Sequence, residues 1–221
     1  MNAAPQTPDR HGWRVVLVGT GGQGVLTAAR LLCDIFVDRG HHVVSGQLHG
    51  MAQRGGSVLA TVIIDAGISP VVPSKRADIV LALEPVEAAR ALPLMSHKTT
   101  AVVNTAPIIS YVLGQRHAAK RQGADYPNVD DLLAKIRDVT GTVHSLDATR
   151  IAVDVGSPRS LNVVMLGFLL GLTLLPCSSD EFWQAAAATV PNALKTANTN
   201  AFWRGVDQAR STHPTQTGAH S

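Results

Sequence analysis

The sequence predicts an α/β fold, a largely parallel wound sheet followed by a helical C-terminal third. Three observations predict it. Short apolar runs of strand length alternate with segments whose apolar residues recur at helical spacing. A glycine turn, Gly19-Thr20-Gly21-Gly22-Gln23-Gly24, follows the first apolar run and opens the first helical segment, which makes the arrangement Rossmann-like. From Ala148 onwards the patterns are helical only, interrupted at Pro176 and Pro191.

Arg14 to Val18 is a buried strand. After the turn, Val25, Ala28, Ala29, Leu32, Ile35 and Phe36 mark one face of a helix that Gly40 stops. His42 to Ser45 forms a second strand. The stretch Gly46–Ser57 has no period and is expected to be a loop. Val58 to Ile64 is a third strand, closed by a turn at Asp65-Ala66-Gly67. Asp78 to Leu83 is a fourth strand, and Pro85 suits the first position of the helix behind it. Thr100 to Val103 is a fifth. Between 105 and 128 no period stands out. Asn128 or Asp130 caps a helix through Arg137, and a short strand surrounds Val143. The helical third is expected on the sheet's flank or against another chain.

The length of 221 residues suits a single domain, taken as 13–209, with flexible ends at 1–12 and 210–221. Hydrophobic residues make up 45% and charged residues 16%, so part of the surface is expected to lie under partner subunits. The net charge is +3, and apart from Arg116-His117 and Lys120-Arg121 the cations are scattered. Aromatics amount to 4%, which argues against a nucleic-acid partner. Cys33 and Cys177 cannot supply the four ligands of an iron–sulfur cluster, and two distant thiols suit a reducing cytoplasm. Cys33, among apolar helix residues, is expected in the core. The longest apolar run, Val163 to Leu175 with Thr173 inside it, is shorter than the roughly 20 residues a membrane span needs, so no membrane partner is expected. Gly167 and Gly171 within it announce a closely packed neighbouring helix.

Gly19, Gly21 and Gly24 fit the G-x-G-x-x-G pattern of a dinucleotide turn. The acid that would hold a ribose, at the end of the second strand, is absent from Val43-Val44-Ser45-Gly46-Gln47. Nor do Val25-Leu26 supply the Lys and Ser/Thr of a P-loop. Two readings stay open for the turn: an anion site at the helix start, or glycines that let helix and strand pack closely. The stretch Gly46-Gln47-Leu48-His49-Gly50-Met51-Ala52-Gln53-Arg54-Gly55-Gly56-Ser57 holds four glycines and one guanidinium. Arg54 beside Gly55-Gly56 offers an unshielded planar fork for a carboxylate, a phosphate or an acidic partner group. Glu84, at a strand end, either contacts a ligand or meets the positive end of the next helix. Asn162 is expected to cap the apolar helix. His41 and His42 are expected on opposite sides of a strand, and no H-E-x-x-H pair or G-x-S-x-G elbow occurs, so neither a metal site nor a serine nucleophile is expected.

Four segments then occur in order: Gly19-x-Gly-Gly-Gln-Gly-Val-Leu26, His49-Gly-Met-Ala-Gln-Arg-Gly-Gly-Ser-Val58, Ala77-Asp-Ile-Val-Leu-Ala-Leu-Glu-Pro-Val-Glu87 with Arg90, and Asn162-Val-Val-Met-Leu-Gly167. Together they closely resemble the gamma-domain family of 2-oxoacid:acceptor oxidoreductases, within it the small (beta) subunits of indolepyruvate ferredoxin oxidoreductases. The likeness runs from about Trp13 to Gly205. It implies one gamma-type domain and a cytoplasmic heteromeric complex that decarboxylates a 2-oxoacid, transfers the acyl group to coenzyme A and reduces ferredoxin. It also implies that this chain alone binds no cofactor and has no complete active site. Thiamine diphosphate, Mg2+ and the iron–sulfur clusters are implied in a large (alpha) partner subunit.

Within that frame the loop His49–Ser57 is expected to face the partner's active site. The residues expected on the cofactor side are Gly19, Gly21, Gly22, Gln23, Gly24, His49, Gln53, Arg54, Gly55, Gly56, Ser57 and Glu84. Arg54 would take anionic groups of coenzyme A or substrate, or lock the subunit interface. His49 would act as an acid or base, or as a structural hydrogen-bonding group. The alternatives are a stand-alone NAD(P)-dependent dehydrogenase and a scaffold subunit without ligand contact.

Overall fold

The computed structural model describes residues 12–49, 56–107 and 126–212, with only the backbone of Leu48 and His49. Its sheet has six strands: β1 (Trp13–Thr20), β2 (Val43–His49), β3 (Ser57–Ile64), β4 (Ile79–Ala82), β5 (Thr100–Asn104) and β6 (Thr142–Leu146). They lie in the order β2-β3-β1-β4-β5-β6. β1, β4, β5 and β6 pair in parallel. β3 runs antiparallel to both β1 and β2, so five strands share one direction and β3 opposes them.

That reversal refines the expected parallel sheet, and its cause is the connection. A parallel neighbour needs a crossover of about a dozen residues or more, and the stretch 50–56 is too short, so β2 and β3 form a hairpin. The expected loop also begins later. Gly46 to His49 extend β2, with Gly46 opposite Thr61 and His49 opposite Val58. Gly46 is required there because a Cβ would lie 2.8 Å from the Pro70 Cβ. His41 and His42 precede the strand rather than form part of it. His41 Nδ1 meets Asp65 Oδ2 at 2.7 Å, and the His42 amide donates to Asp65 Oδ1 at 3.0 Å.

Seven α-helices occur among the described residues: α1 (Val25–Asp38), α2 (Pro85–Arg90), α3 (Val129–Arg137), α4 (Ala148–Asp154), α5 (Leu161–Gly171), α6 (Ser179–Thr189) and α7 (Asn192–Thr212). Pro85 opens α2 as expected, and Asn128, not Asp130, caps α3 by accepting from the amides of Asp130 and Asp131. Strand alternation sends Val15, Leu17 and Leu81 to one face of the sheet and Val16, Val18 and Val80 to the other. α1 and α4–α7 cover the first face; α2 and α3 cover the second. The helical third therefore lies on the sheet's own flank.

Its centre is α5, apolar all round and buried from Leu161 to Leu170. A Cβ on Gly167 would sit 2.0 Å from the Phe202 carbonyl oxygen, and one on Gly205 would sit 2.1 Å from that of Val164. The glycines let α5 and α7 touch backbone to backbone. α7 continues to Thr212, past the expected boundary at 209. Cys33 is half-buried and packs against this core. No helix of the described residues is long and apolar enough to cross a membrane.

Candidate functional site at the C-terminal edge of the sheet

The five co-directed strands end at one edge, where α/β folds hold their ligands. Antiparallel β3 begins there, so the base of the β2–β3 hairpin joins the glycine turn: Thr20 stands opposite Ser57, and the Gly21 amide donates to the Gly56 carbonyl at 2.8 Å. The two glycine-bearing segments singled out in the sequence are thus neighbours in space.

The turn is tightly specified. Gly24, the N-cap of α1, has φ 82°, and a Cβ there would lie 2.7 Å from Asn162 Nδ2. Asn162 does not cap its own helix, whose N-cap is Ser160; its amide reaches back to the Gly24 carbonyl at 3.3 Å. Gln23 is 7% exposed. Its Oε1 accepts from the Thr20 amide at 2.6 Å and the Thr20 hydroxyl at 3.1 Å, and its Nε2 donates to the Leu83 carbonyl at 2.8 Å. Gln23 therefore fastens the turn to the end of β4. The amides of Thr20, Gly21 and Gln23 are spent inside the protein, and those opening α1 are left for the edge.

Leu83 carries a second load. Asn104, fully buried at the end of β5, donates Nδ2 to the Leu83 carbonyl at 3.0 Å and to Thr149 Oγ1 at 3.2 Å, while its Oδ1 accepts from the Ala148 amide at 3.0 Å. One side chain thus registers β4, β5 and α4. Sequence reasoning missed it; the signal was an amide closing the apolar run Val102-Val103.

Behind the edge lie two glutamates on the first turn of α2. Glu84 is 2% exposed and Glu87 is 5% exposed. Glu84 is the N-cap: its Oε2 accepts from the Glu87 amide at 3.0 Å and its Oε1 from the Tyr126 hydroxyl. Glu87 Oε2 accepts from the Ser57 hydroxyl at 2.5 Å, and its Oε1 lies 3.5 Å from Arg90 Nη1. Burial, then the bond to Glu84, pushes the Tyr126 phenol far above its ordinary value, which keeps it a donor. Glu87 and Tyr126 were also missed as site residues. An acid three positions after Glu84 was visible; Tyr126 had no local signal.

Of the residues expected on the cofactor side, the structure gathers Gly19, Gly21, Gly22, Gln23, Gly24, Gly56, Ser57 and Glu84 at this edge. The His49 backbone ends β2 at the same edge. Gln53, Arg54 and Gly55 lie outside the described residues. A cavity of about 520 Å3 opens at the opposite edge, among Arg14, Lys75, Arg76, Asp78 and Lys98. Among the described residues no group of three His, Cys, Asp or Glu could hold a metal. Burial pushes both thiols, Cys33 and Cys177, up from their ordinary value, away from the thiolate form that ligates iron.

The chain is similar to known proteins in both sequence and fold. The family model described as "Pyruvate ferredoxin/flavodoxin oxidoreductase" matches residues 14–208. The chain is 35% identical over 202 residues to the Archaeoglobus fulgidus protein named "Indolepyruvate oxidoreductase subunit IorB", covering 90% of this chain and 96% of that one. It is 32% identical over 197 residues to the protein of the same name from Methanothermobacter thermautotrophicus, covering 89% and 97%. In fold it is similar to the gamma subunit of a keto/oxoacid ferredoxin oxidoreductase from Geobacter sulfurreducens, with a TM-score of 0.64 at 21% identity, covering 90% of this chain and 99% of that one. It is also similar to part of the 2-oxoglutarate:ferredoxin oxidoreductase from Magnetococcus marinus, with a TM-score of 0.68 at 15% identity, covering 92% of this chain but 32% of that one. The same fold thus occurs as a whole chain and as about a third of a longer one.

Proposed function

As the chain belongs to the pyruvate ferredoxin/flavodoxin oxidoreductase family, we propose that it is the small subunit of a thiamine diphosphate-dependent 2-oxoacid:ferredoxin oxidoreductase. The substrate is indolepyruvate or another aryl 2-oxoacid, converted to its acyl-coenzyme A while electrons pass to ferredoxin. The observation that carries this reading is near end-to-end likeness to relatives named as indolepyruvate oxidoreductase subunits, at 35% and 32% identity.

The described residues do not fit the reaction's metal groups. One half-buried and one buried thiol, both pushed up from their ordinary value, do not suit an iron–sulfur cluster, and the described residues gather no metal-binding group. Thiamine diphosphate, Mg2+ and the clusters belong to the large partner subunit, and so does the chemistry they supply. This chain contributes placement and charge. Arg54, with Gly55, comes in the sequence just ahead of the hairpin base, which the Gly21–Gly56 hydrogen bond fixes. Its guanidinium takes a phosphate or carboxylate of coenzyme A or substrate, in the bidentate geometry an ammonium cannot copy. His49, whose backbone ends β2, serves in this reading as a hydrogen-bonding group.

Arg54→Lys tests the reading, because it keeps the charge and removes the fork. In the complex reconstituted with the large subunit, the coenzyme A KM rises about tenfold, the size expected for one charge-assisted hydrogen bond. A variant with unchanged assembly, coenzyme A dependence and turnover would rule it out.

A further inference from the structure

Glu84 and Glu87 present a physical puzzle. Taking a carboxylate out of water is costly unless its oxygens are well satisfied, and apolar residues could fill the same volume more cheaply. Yet the first turn of α2 buries two carboxylates, and every one of their four oxygens has a partner. Two of those partners belong to other parts of the chain. Ser57 is the first residue of β3, the descending arm of the hairpin. Tyr126 opens the described chain ahead of α3. Both converge on one helical turn at the C-terminal edge.

We propose that Glu84 and Glu87 are positioning residues, two buried acceptors that hold the hairpin base through Ser57 and the Tyr126 segment in one fixed relation, so that the edge meets coenzyme A and the partner subunit preformed. This rests on the proposed function and deepens it. Glu84 then serves the ligand side without touching the ligand, since its two oxygens are taken by the Tyr126 hydroxyl and the Glu87 amide. The Ser57 hydroxyl is likewise turned onto Glu87. Arg90, at 3.5 Å and exposed on its outer side, balances the buried charge of Glu87. The raised phenol value fits the arrangement, because a protonated tyrosine is the only form that can donate to a carboxylate.

The test uses Ser57→Ala, Tyr126→Phe, Glu87→Ala and Glu87→Gln in the full chain and in the complex with the large subunit. Amide hydrogen exchange in the full chain reads positioning directly. Ser57→Ala and Glu87→Ala should speed exchange at residues 57–60, and Tyr126→Phe should do so around 126–129, while Glu87→Gln, which keeps an acceptor for Ser57, restores the slow rate. In the complex, Ser57→Ala and Glu87→Ala should raise the coenzyme A KM about tenfold and Tyr126→Phe about threefold, in the range of one lost hydrogen bond, with kcat unchanged. Glu87→Gln should return the KM towards the wild-type value. Unchanged exchange in Ser57→Ala and Tyr126→Phe would overturn the proposal. Faster exchange with an unmoved KM would overturn it too, leaving the bonds a role in stability alone. A wild-type complex whose turnover ignores coenzyme A would instead overturn the proposed function, and the exchange measurements would still decide the positioning.

Discussion

At the α5–α7 seam and at the turn after β1, the chain uses glycine for opposite physical reasons. At Gly167 and Gly205 a side chain would strike a neighbouring backbone carbonyl at 2.0 and 2.1 Å. There glycine removes an atom so that two helices can touch. At Gly22, with φ 102°, a Cβ would meet nothing within 4 Å. There glycine permits a backbone direction, and the space beside it stays open. The first use builds a dry, close-packed layer whose consequences are confined to stability. The second shapes a polar edge whose hydrogen bonds reach from the turn to the hairpin base. The difference separates a region built for close packing from one that leaves open space beside hydrogen-bonded backbone.

Alanine substitution can break this comparison. Gly167→Ala or Gly205→Ala, which forces two backbones apart, should destabilise the chain by about 3 kcal/mol, seen as a melting temperature lower by roughly 10 °C. Whatever folded complex remains should keep its coenzyme A KM. Gln23→Ala leaves the Thr20 amide without its partner and the Leu83 carbonyl with Asn104 alone. It should cost about 2 kcal/mol in denaturant unfolding and, unlike the seam variants, should also weaken assembly with the large subunit. Gly22→Ala meets no neighbour and should cost about 1 kcal/mol, from backbone strain alone. Should Gly22→Ala prove as damaging as Gly167→Ala by calorimetry, the distinction between the two regions is lost.

The smallest expected effect is on the acid side. Glu181 closes a capping box with Ser178 and pairs with Arg39 at 3.2 Å, joining α6 to the end of α1. The Ser178 hydroxyl and amide, then Arg39, lower its carboxyl from 4.5 to about 2. A lowered value means the folded state favours the charged form. The stabilisation is therefore complete above pH 4.5 and fades as pH falls towards 2. Glu181→Gln should lower thermal stability slightly at pH 7 and flatten its fall across that window, both by little, because the carboxyl is exposed and its ion pair is screened.

Much of the sheet was legible because strand and helix periods are local. Val25 to Phe36 announced α1, Pro85 announced α2, and the Gly167/Gly171 pair announced a helix in close contact. The direction of β3 was not legible from Val58 to Ile64, because an apolar run reads the same either way; the short stretch before it decides. Gly46 read as the start of a loop, and only the folded chain shows the close approach of Pro70 that requires it in the strand. The glycine turn was legible as geometry, since its spacing fixes a strand–turn–helix. Its hydrogen bonding was not. The bonds that organise the edge join residues far apart in sequence, Ser57 to Glu87 and Glu84 to Tyr126, and no local pattern records a partner 30 or 42 positions away. Asn104 escaped for the same reason: a polar residue closing an apolar run looks like a strand end until the neighbouring strands are in place.

If this chain is the small subunit of such a complex, it supports turnover only beside a partner that holds the cofactors. Ferredoxin reduction measured with an aryl 2-oxoacid and coenzyme A, for this chain alone, the large subunit alone and the two combined, tests it most directly. Turnover is expected in the combination only, with a colourless, inactive small chain. Equal turnover by the large subunit without this chain would contradict it.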